Sequence, residues 1–248
     1  SGAQGWGWSQ MREAFAAVED HELGSGEGRG VGGPIPISAG KFRYPAAEAA
    51  IRAGEQMGLD RKADLNTEDQ EGIGYYSHNI RNGRRVSAAK AFLEPAKKRT
   101  NLSIVTDAKA RRIVFDGLRA VGLEVELGDP EADGARTVIP VSGEIVVSTG
   151  TLESPLLLQR SGIGPGGVLQ AAGIPVMRES PMVGRNLKDH LGLSISYRLA
   201  IPGNNREFRG IRLAANILRY LAVGSGPMAT GPYEVGAFVR SSEASERP

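Results

Sequence analysis

The sequence predicts a mixed α/β chain, and three observations carry that prediction. Apolar residues recur at helical spacing in three separate stretches of the first hundred positions, near 8–20, 45–59 and 87–99. β-Branched runs separated by turn residues then dominate residues 102–148. Last, the unbroken run IVV that follows Glu144 passes through small residues into another helical stretch. A run that is apolar on both faces is what a parallel strand covered by helices requires.

Residues 8–20, WSQMREAFAAVED, read as a helix with Met11, Phe15 and Val18 on one side and Ser9 as its N-cap. GSGEGRGVGGPIPIS (24–38) is a loop followed by an extended segment. PAAEAAIRAGEQMGL (45–59) is a second helix, with Pro45 suited to its first turn and Gly58 to its C-terminal cap. NGRR (82–85) signals a turn, and Ser87 caps a third helix that Pro95 should break or kink. A β-meander follows, with strands expected near 102–106, 111–115, 120–127 and 137–148 and a bend near 107–110. GDPEADGA makes a polar connection within it. The last strand enters a small-residue turn (148–151) and a helix (153–160), which Gly162 and Gly164 end. IRLAANILRYLAVGSG (211–226) has an amphipathic helical pattern, expected to pack in a core or between domains rather than on a membrane.

Composition narrows the function. The chain has 248 residues, 40% apolar and 23% charged, with a net charge of +2, so there is no electrostatic case for a nucleic-acid partner. It has no cysteine, which excludes disulfides, Cys-ligated zinc and thiol catalysis. His21, His78 and His190 lie far apart without metal-ligand spacing, so no metal site is expected. No apolar run reaches transmembrane length and no signal peptide is visible, so the expected location is the cytoplasm. The opening at Ser1 and the closing SSEASERP read as the ends of a piece of a longer protein.

Two stretches carry chemistry. Ser148, Thr149, Gly150 and Thr151 let another backbone or a flat ligand approach a βα junction, although an ordinary turn with no ligand meets the same pattern. In PYEVGAF (232–238), alternation puts Tyr233, Val235 and Ala237 on one face and Glu234, Gly236 and Phe238 on the other. A glutamate between Gly and Phe is costly on a strand unless it is paired or faces a cavity.

GTLESPLLLQRSGIGP (150–165) resembles the second signature of the glucose–methanol–choline (GMC) family of flavin oxidoreductases: small–small–x–x–Ser–Pro, aliphatics, then Ser-Gly-aliphatic-Gly. The flanks are similar as well and stand in the same order: GWGW at the start, QEGIGYY (70–76), NGRRVSAAKAFLEPAKKRTNLSIVTDAKARRIVFDG (82–117), VGRNLKDHL (183–191) and GPYEVGAFVRS (231–241). The resemblance implies an enzyme that uses FAD to oxidise a small-molecule alcohol, in the manner of the family's choline dehydrogenase branch, with oxygen or a quinone reoxidising the flavin. It also implies an α/β (α+β) fold in which residues 92–190 are part of a doubly wound FAD-binding domain with the β-meander. Residues 1–91 and 191–248 would belong to a substrate domain on an antiparallel sheet.

The family's G-x-G-x-x-G βαβ unit and its C-terminal catalytic His have no counterpart in these residues. No residue here is therefore expected to be catalytic, and the piece alone is expected to bind FAD poorly and to turn nothing over. By the same resemblance, Ala110 stands where relatives carry Val and meets the adenine ring through its backbone. Ser148, Thr149, Gly150 and Thr151 would lie near the adenosine half of FAD, and Glu234 and Tyr233 on the substrate side of the flavin. His190 is implied to be structural within its turn, and His21 and His78 read as surface or loop residues. The alternatives are a non-oxidative use of the fold, as in a hydroxynitrile lyase or a photodecarboxylase, or a truncated non-enzymatic module.

Overall fold

A computed structural model describes residues 4–26, 28–39, 42–128, 134–198, 200, 203–231 and 233–242. In chain order its elements are α1 (Trp8–Val18), β1 (Glu19–His21), β2 (Ile35–Ile37), α2 (Pro45–Gln56), β3 (Arg61–Lys62), β4 (Gly72–Tyr75), β5 (Ile80–Arg81) and β6 (Arg84–Arg85). Next come α3 (Glu94–Ala96), β7 (Ala108–Asp116), β8 (Arg119–Leu127), β9 (Ala135–Pro140), α4 (Gly150–Arg160) and β10 (Ile163–Gly164). The series ends with α5 (Gly166–Ala171), β11 (Arg178–Glu179), α6 (Gly210–Val223) and β12 (Val235–Phe238). They gather into two compact units, residues 1–102 with 196–248, and residues 103–195.

The first unit is built on a sheet of order β12-β4-β3, with β12 antiparallel to β4 and the short β3 parallel to it. Helix α2 covers this sheet, and Ile51, Leu65, Ile73 and Tyr44 form its buried core. Gly54 makes the close approach possible, because a Cβ there would stand 2.7 Å from Ile73 Cδ1. Pro45 opens α2, and Gly58, at φ +91°, closes it with an N–H donated to Glu55 O at 3.0 Å. The hairpin β5–β6 turns at Asn82 (φ +51°) and Gly83 (φ +71°), the left-handed pair that a two-residue hairpin loop needs.

Two local expectations need correcting here. The N-cap of α1 is Gly7, while the Ser9 hydroxyl meets Gln10 Oε1. The third helix is interrupted as Pro95 demands, but as a widened π turn (Ala89–Leu93) running into α3, because proline has no N–H to return to the preceding turn.

In the second unit β7, β8 and β9 form an antiparallel meander, with Ile113 and Val125 buried. Strand β7 starts at Ala108, so the expected bend shrinks to Asp107 at φ +52°. Of the polar connection GDPEADGA, residues 129–133 lie outside the described residues, as do Pro232 and the closing 243–248. Gly162, at φ +84°, ends α4, whereas Gly164 joins β10, which pairs parallel with β11 around α5 and the buried Leu169.

The first expected strand is not found, and the fourth, expected over 137–148, forms only over its first part as β9. Residues 102–106 and 144–148 run without strand pairing among the described residues, with Val105 57% and Val146 82% exposed. A strand apolar on both faces needs neighbours to pair its backbone and helices to cover it, and the described residues supply neither. Helix α6 likewise exposes its apolar stripe at Ile211, Leu218 and Leu221, and its buried side chain is Asn216, which donates to Glu207 O at 3.0 Å.

Glu126 is buried on β8 beneath Arg111 Nη2 at 2.6 Å, and that guanidinium holds its carboxyl below the usual range. The resulting stability is present above the unfolded-state pKa and is lost as pH falls through the folded-state value. Arg111→Ala should therefore move the acid unfolding midpoint to higher pH, read by circular dichroism. Ile51→Ala should cost about 2–5 kcal/mol by opening a cavity between α2 and its sheet, read as a lowered Tm.

Candidate functional site

Pairing of β12 with β4 continues one residue beyond the strand, where Tyr76 donates its N–H to Glu234 O at 2.8 Å. Alternation then sends neighbouring side chains apart: Tyr233 is 77% exposed, whereas Glu234 is half-buried. Of the two substrate-side residues expected from the sequence, Glu234 lines a cavity of about 20 Å³ together with Arg43, Tyr75, Tyr76, His78 and Thr230, and Tyr233 does not. A larger cavity, about 410 Å³, shares Phe42, Ile80 and Thr230 with it. Two glycines keep this wall thin, since a Cβ on Gly236 would run into the Tyr76 ring and one on Gly231 into His78.

Titratable groups gather around the cavity. Burial pushes the Glu234 carboxyl above its usual range, against the Thr230 hydroxyl and the charge of Arg43, which pull it back. Glu234 Oε1 lies 3.4 Å from Thr230 Oγ1, and Oε2 is buried with no hydrogen-bond partner among the described residues. Burial, then the charge of Glu234, pushes the Tyr44 phenol up to about 12. Tyr75 is also pushed up to about 12, by burial and by its bond to Glu48 Oε1 at 2.8 Å, and the Arg43 guanidinium stacks 3.8 Å above its ring centroid. Burial lowers the His78 pKa, so this imidazole is neutral at pH 7.

Of the three histidines, His21 departs from expectation. His21 is not a surface residue: it is 5% exposed, its Nδ1 accepts the Leu23 N–H at 3.2 Å, and its Nε2 lies 3.7 Å from Asp64, which Arg29 holds at 3.1 Å. Burial of a polar ring is tolerated here because both nitrogens face partners, one of them 43 positions away in the sequence. His78 is half-buried and bridged through its backbone to Ser38. His190 is exposed, its backbone N–H bonded to Asp189 Oδ1 at 2.8 Å. No cluster of three or more His, Cys, Asp or Glu able to hold a metal occurs among the described residues.

The second unit holds the cofactor candidates. Ala110 is half-buried on β7, an edge strand of the meander, beside the register shift between Ala110 and Arg112. Ser148, Thr149, Gly150 and Thr151 are all exposed, and α4 starts at Gly150 rather than at the expected residue 153. Gly150 stands at φ +94° with open space where a Cβ would project. Thr149 caps α4 without a side-chain bond to its first N–H groups, its hydroxyl lying instead 3.1 Å from Ser154 Oγ. These features fit an FAD: small side chains, helix N–H groups left without a side-chain cap, and an edge strand carrying Ala110.

Ser161 ties the two pieces together. Its buried hydroxyl accepts the Ile113 N–H at 2.8 Å and donates to Leu157 O at 2.6 Å, which docks α4 on β7. Sequence reasoning read Ser161 only as part of the signature and missed Tyr44, Arg43 and Thr230 altogether. Their signal, polar residues beside Phe42 and Gly231, has meaning only once the chain has folded.

A family model described as GMC oxidoreductase matches residues 1–192. Oxygen-dependent choline dehydrogenases are similar: that of Brucella ovis is 37% identical over 249 residues, covering 100% of this chain and 44% of the relative. That of Pseudomonas putida strain GB-1 is 36% identical over 251 residues, covering 97% and 42%. The crystal structure of pyridoxine 4-oxidase from Mesorbium loti matches with 42% identity and a TM-score of 0.68, over 77% of this chain and 36% of that one. A formate oxidase matches with 26% identity and a TM-score of 0.79, over 96% and 42%. The chain thus spans less than half the length of the curated relatives it matches.

Ser161→Ala should leave the buried Ile113 N–H without its partner and destabilise the second unit by about 1–3 kcal/mol, checked by denaturant unfolding.

Proposed function

This chain belongs to the GMC oxidoreductase family, and from that premise we propose that it is the middle portion of an FAD-dependent dehydrogenase or oxidase that transfers hydride from an alcohol to flavin. The observation that carries this reading is Glu234, a half-buried carboxyl that borders a small cavity and keeps one buried oxygen without a hydrogen-bond partner among the described residues. Such a group is retained at a cost in stability, which a substrate contact explains.

In this reading Ala110 meets the adenine ring through its backbone, and Ser148, Thr149, Gly150 and Thr151 border the adenosine half of FAD. Bound flavin would supply the hydride-accepting chemistry. Glu234 orients the alcohol, the Arg43–Tyr75 stack fixes one wall, and His78, being neutral, adds no competing charge. None of the three histidines is assigned the role of taking the hydroxyl proton: His21 has both nitrogens engaged and His190 is exposed. Two of the substrates named for the relatives, choline and pyridoxine, are alcohols that carry a nitrogen centre, whereas formate is neither, and an acidic residue beside the cavity suits the first two. Neither one is singled out.

Residues 92–190 are assigned to the FAD-binding domain, with 102–106 and 144–148 as strands that pair with parts of a longer protein. Residues 1–91 and 191–248 are assigned to the substrate domain. The division into compact units near residues 102 and 195 supports those boundaries. No helix among the described residues is long and apolar enough to cross a membrane, and the proposed location is the cytoplasm.

The deciding experiment is an absorption spectrum of the purified protein carrying this chain, before and after anaerobic addition of alcohols. Flavin bands that choline or pyridoxine bleaches support the reading. Flavin that no alcohol bleaches points to a non-oxidative lyase or photodecarboxylase, and a product without flavin points to a non-enzymatic module. Oxygen uptake on re-aeration separates an oxidase from a dehydrogenase. Glu234→Gln should raise KM for the bleaching alcohol by roughly ten- to a hundredfold. Gly150→Val, strained at its positive φ, should lower the flavin content of the purified protein while far-ultraviolet circular dichroism stays unchanged.

A further inference from the structure

Helix α6 keeps a polar side chain inside and an apolar stripe outside. The buried Asn216 amide donates to Glu207 O at 3.0 Å and to Glu207 Oε2 at 3.2 Å. Ile211, Ala214, Leu218 and Leu221 recur at the three- and four-residue spacing of one helix face, away from Asn216. Ile211, Leu218 and Leu221 are 87%, 68% and 71% exposed. A continuous apolar patch on the outside of a folded chain marks a contact surface. Charge identifies the chemistry of what it contacts. Residues 190–233 carry five arginines (Arg198, Arg206, Arg209, Arg212 and Arg219) against one acidic residue, Glu207, a net of +4, whereas the whole chain carries +2. Glu207 is held by Asn216 and by Arg212, whose Nη1 lies 2.8 Å from Oε1. Arg212 and Arg219 stand two turns apart along one flank of the stripe.

We propose that α6 is a membrane-surface helix, whose aliphatic stripe enters the headgroup boundary of a bilayer while the arginines of its segment meet anionic lipid headgroups. At 14 residues the helix is about 21 Å long, shorter than the roughly 30 Å of hydrocarbon that a spanning helix crosses, so it lies in the plane of the interface. There the leucines and the isoleucine leave water, and the arginine stems run beside them to bring the guanidinium groups to the phosphates. The stripe consists of Ile, Ala and Leu, without the central Trp, Tyr or Arg anchor that a protein hot spot uses, and this favours a fluid lipid surface over a protein partner. The excess of arginine selects an anionic surface, such as the cytoplasmic leaflet. The proposal is independent of the catalytic reading, because no residue of α6 borders the Glu234 cavity.

The test is flotation of the purified full-length protein that carries this chain with two kinds of vesicle, phosphatidylcholine alone and phosphatidylcholine with about one third phosphatidylglycerol. The protein should partition onto the anionic vesicles and not onto the neutral ones, and salt at about 0.5 M should release it. The double variant Leu218→Ser, Leu221→Ser should weaken partitioning at least tenfold or so. Arg212→Gln with Arg219→Gln should weaken it roughly ten- to thirtyfold. Both variants should keep the parent Tm without vesicles, since the replaced side chains already stand in water. Four results overturn the proposal. They are no partitioning of the parent protein, equal partitioning onto both vesicles, partitioning that neither variant weakens, and a lowered Tm or a smaller oligomer in the leucine variant. The Tm drop would assign the stripe to packing within the longer protein, and the loss of an oligomer, read by light scattering, would assign it to a second copy.

Discussion

The candidate site depends on the antiparallel pairing of β12 with β4. This ladder places Val235 opposite Tyr75 and Phe238 opposite Gly72. Its register decides which side chains of the segment turn inward, because a slip of one residue would exchange Glu234 for Tyr233. Glycines hold the register physically. Gly236 lies against the Tyr76 ring and Gly74 against the Lys62 carbonyl, so no side chain could stand at either position without moving its neighbour. The core beneath, Ile51 and Ile73 across Gly54, sets how close α2 lies to the sheet.

Once that register is set, the electrostatics of the cavity follow from burial. Glu234 loses water without gaining a full set of partners, and so its carboxyl rises. Tyr44 and Tyr75 stay protonated because each lies near a carboxylate as well as being buried. In the neighbouring cluster His21 and Asp64 are also buried, with Arg29 half-buried beside them, but its character differs. Asp64 has Arg29 on one oxygen and the Asn66 N–H on the other. Both Asp64 oxygens are engaged in this way, although Arg29 Nε, like Glu234 Oε2, is buried without a partner among the described residues.

The second unit shows the same rule applied to the backbone. Where β7, β8 and β9 pair with one another, their residues form strands of the expected kind. Residues 144–148 have as strong a strand pattern and stay unpaired, with Val146 open to solvent. Propensity does not make a strand; a partner does. The exposed stripe of α6 follows the same logic, since amphipathic spacing states that a face is apolar without stating what covers it.

Features that depend on chain neighbours were legible in the sequence by itself. Pro45 and Gly58 bound α2, Asn82 and Gly83 turn the hairpin, Pro95 interrupts its helix, and the spacing of residues 150–165 marks the family. Each rests on the dihedral or hydrogen-bonding limits of one or two residues, which no distant contact can alter. The alternation that separates Glu234 from Tyr233 was legible for the same reason. Only the tertiary structure decided that His21 is buried against Asp64, that residues 102–106 and 144–148 lack partners here, and that Thr230 and Tyr44 stand beside Glu234. Those facts turn on desolvation and on pairing between groups tens to hundreds of positions apart, and such quantities exist only after the chain has closed on itself.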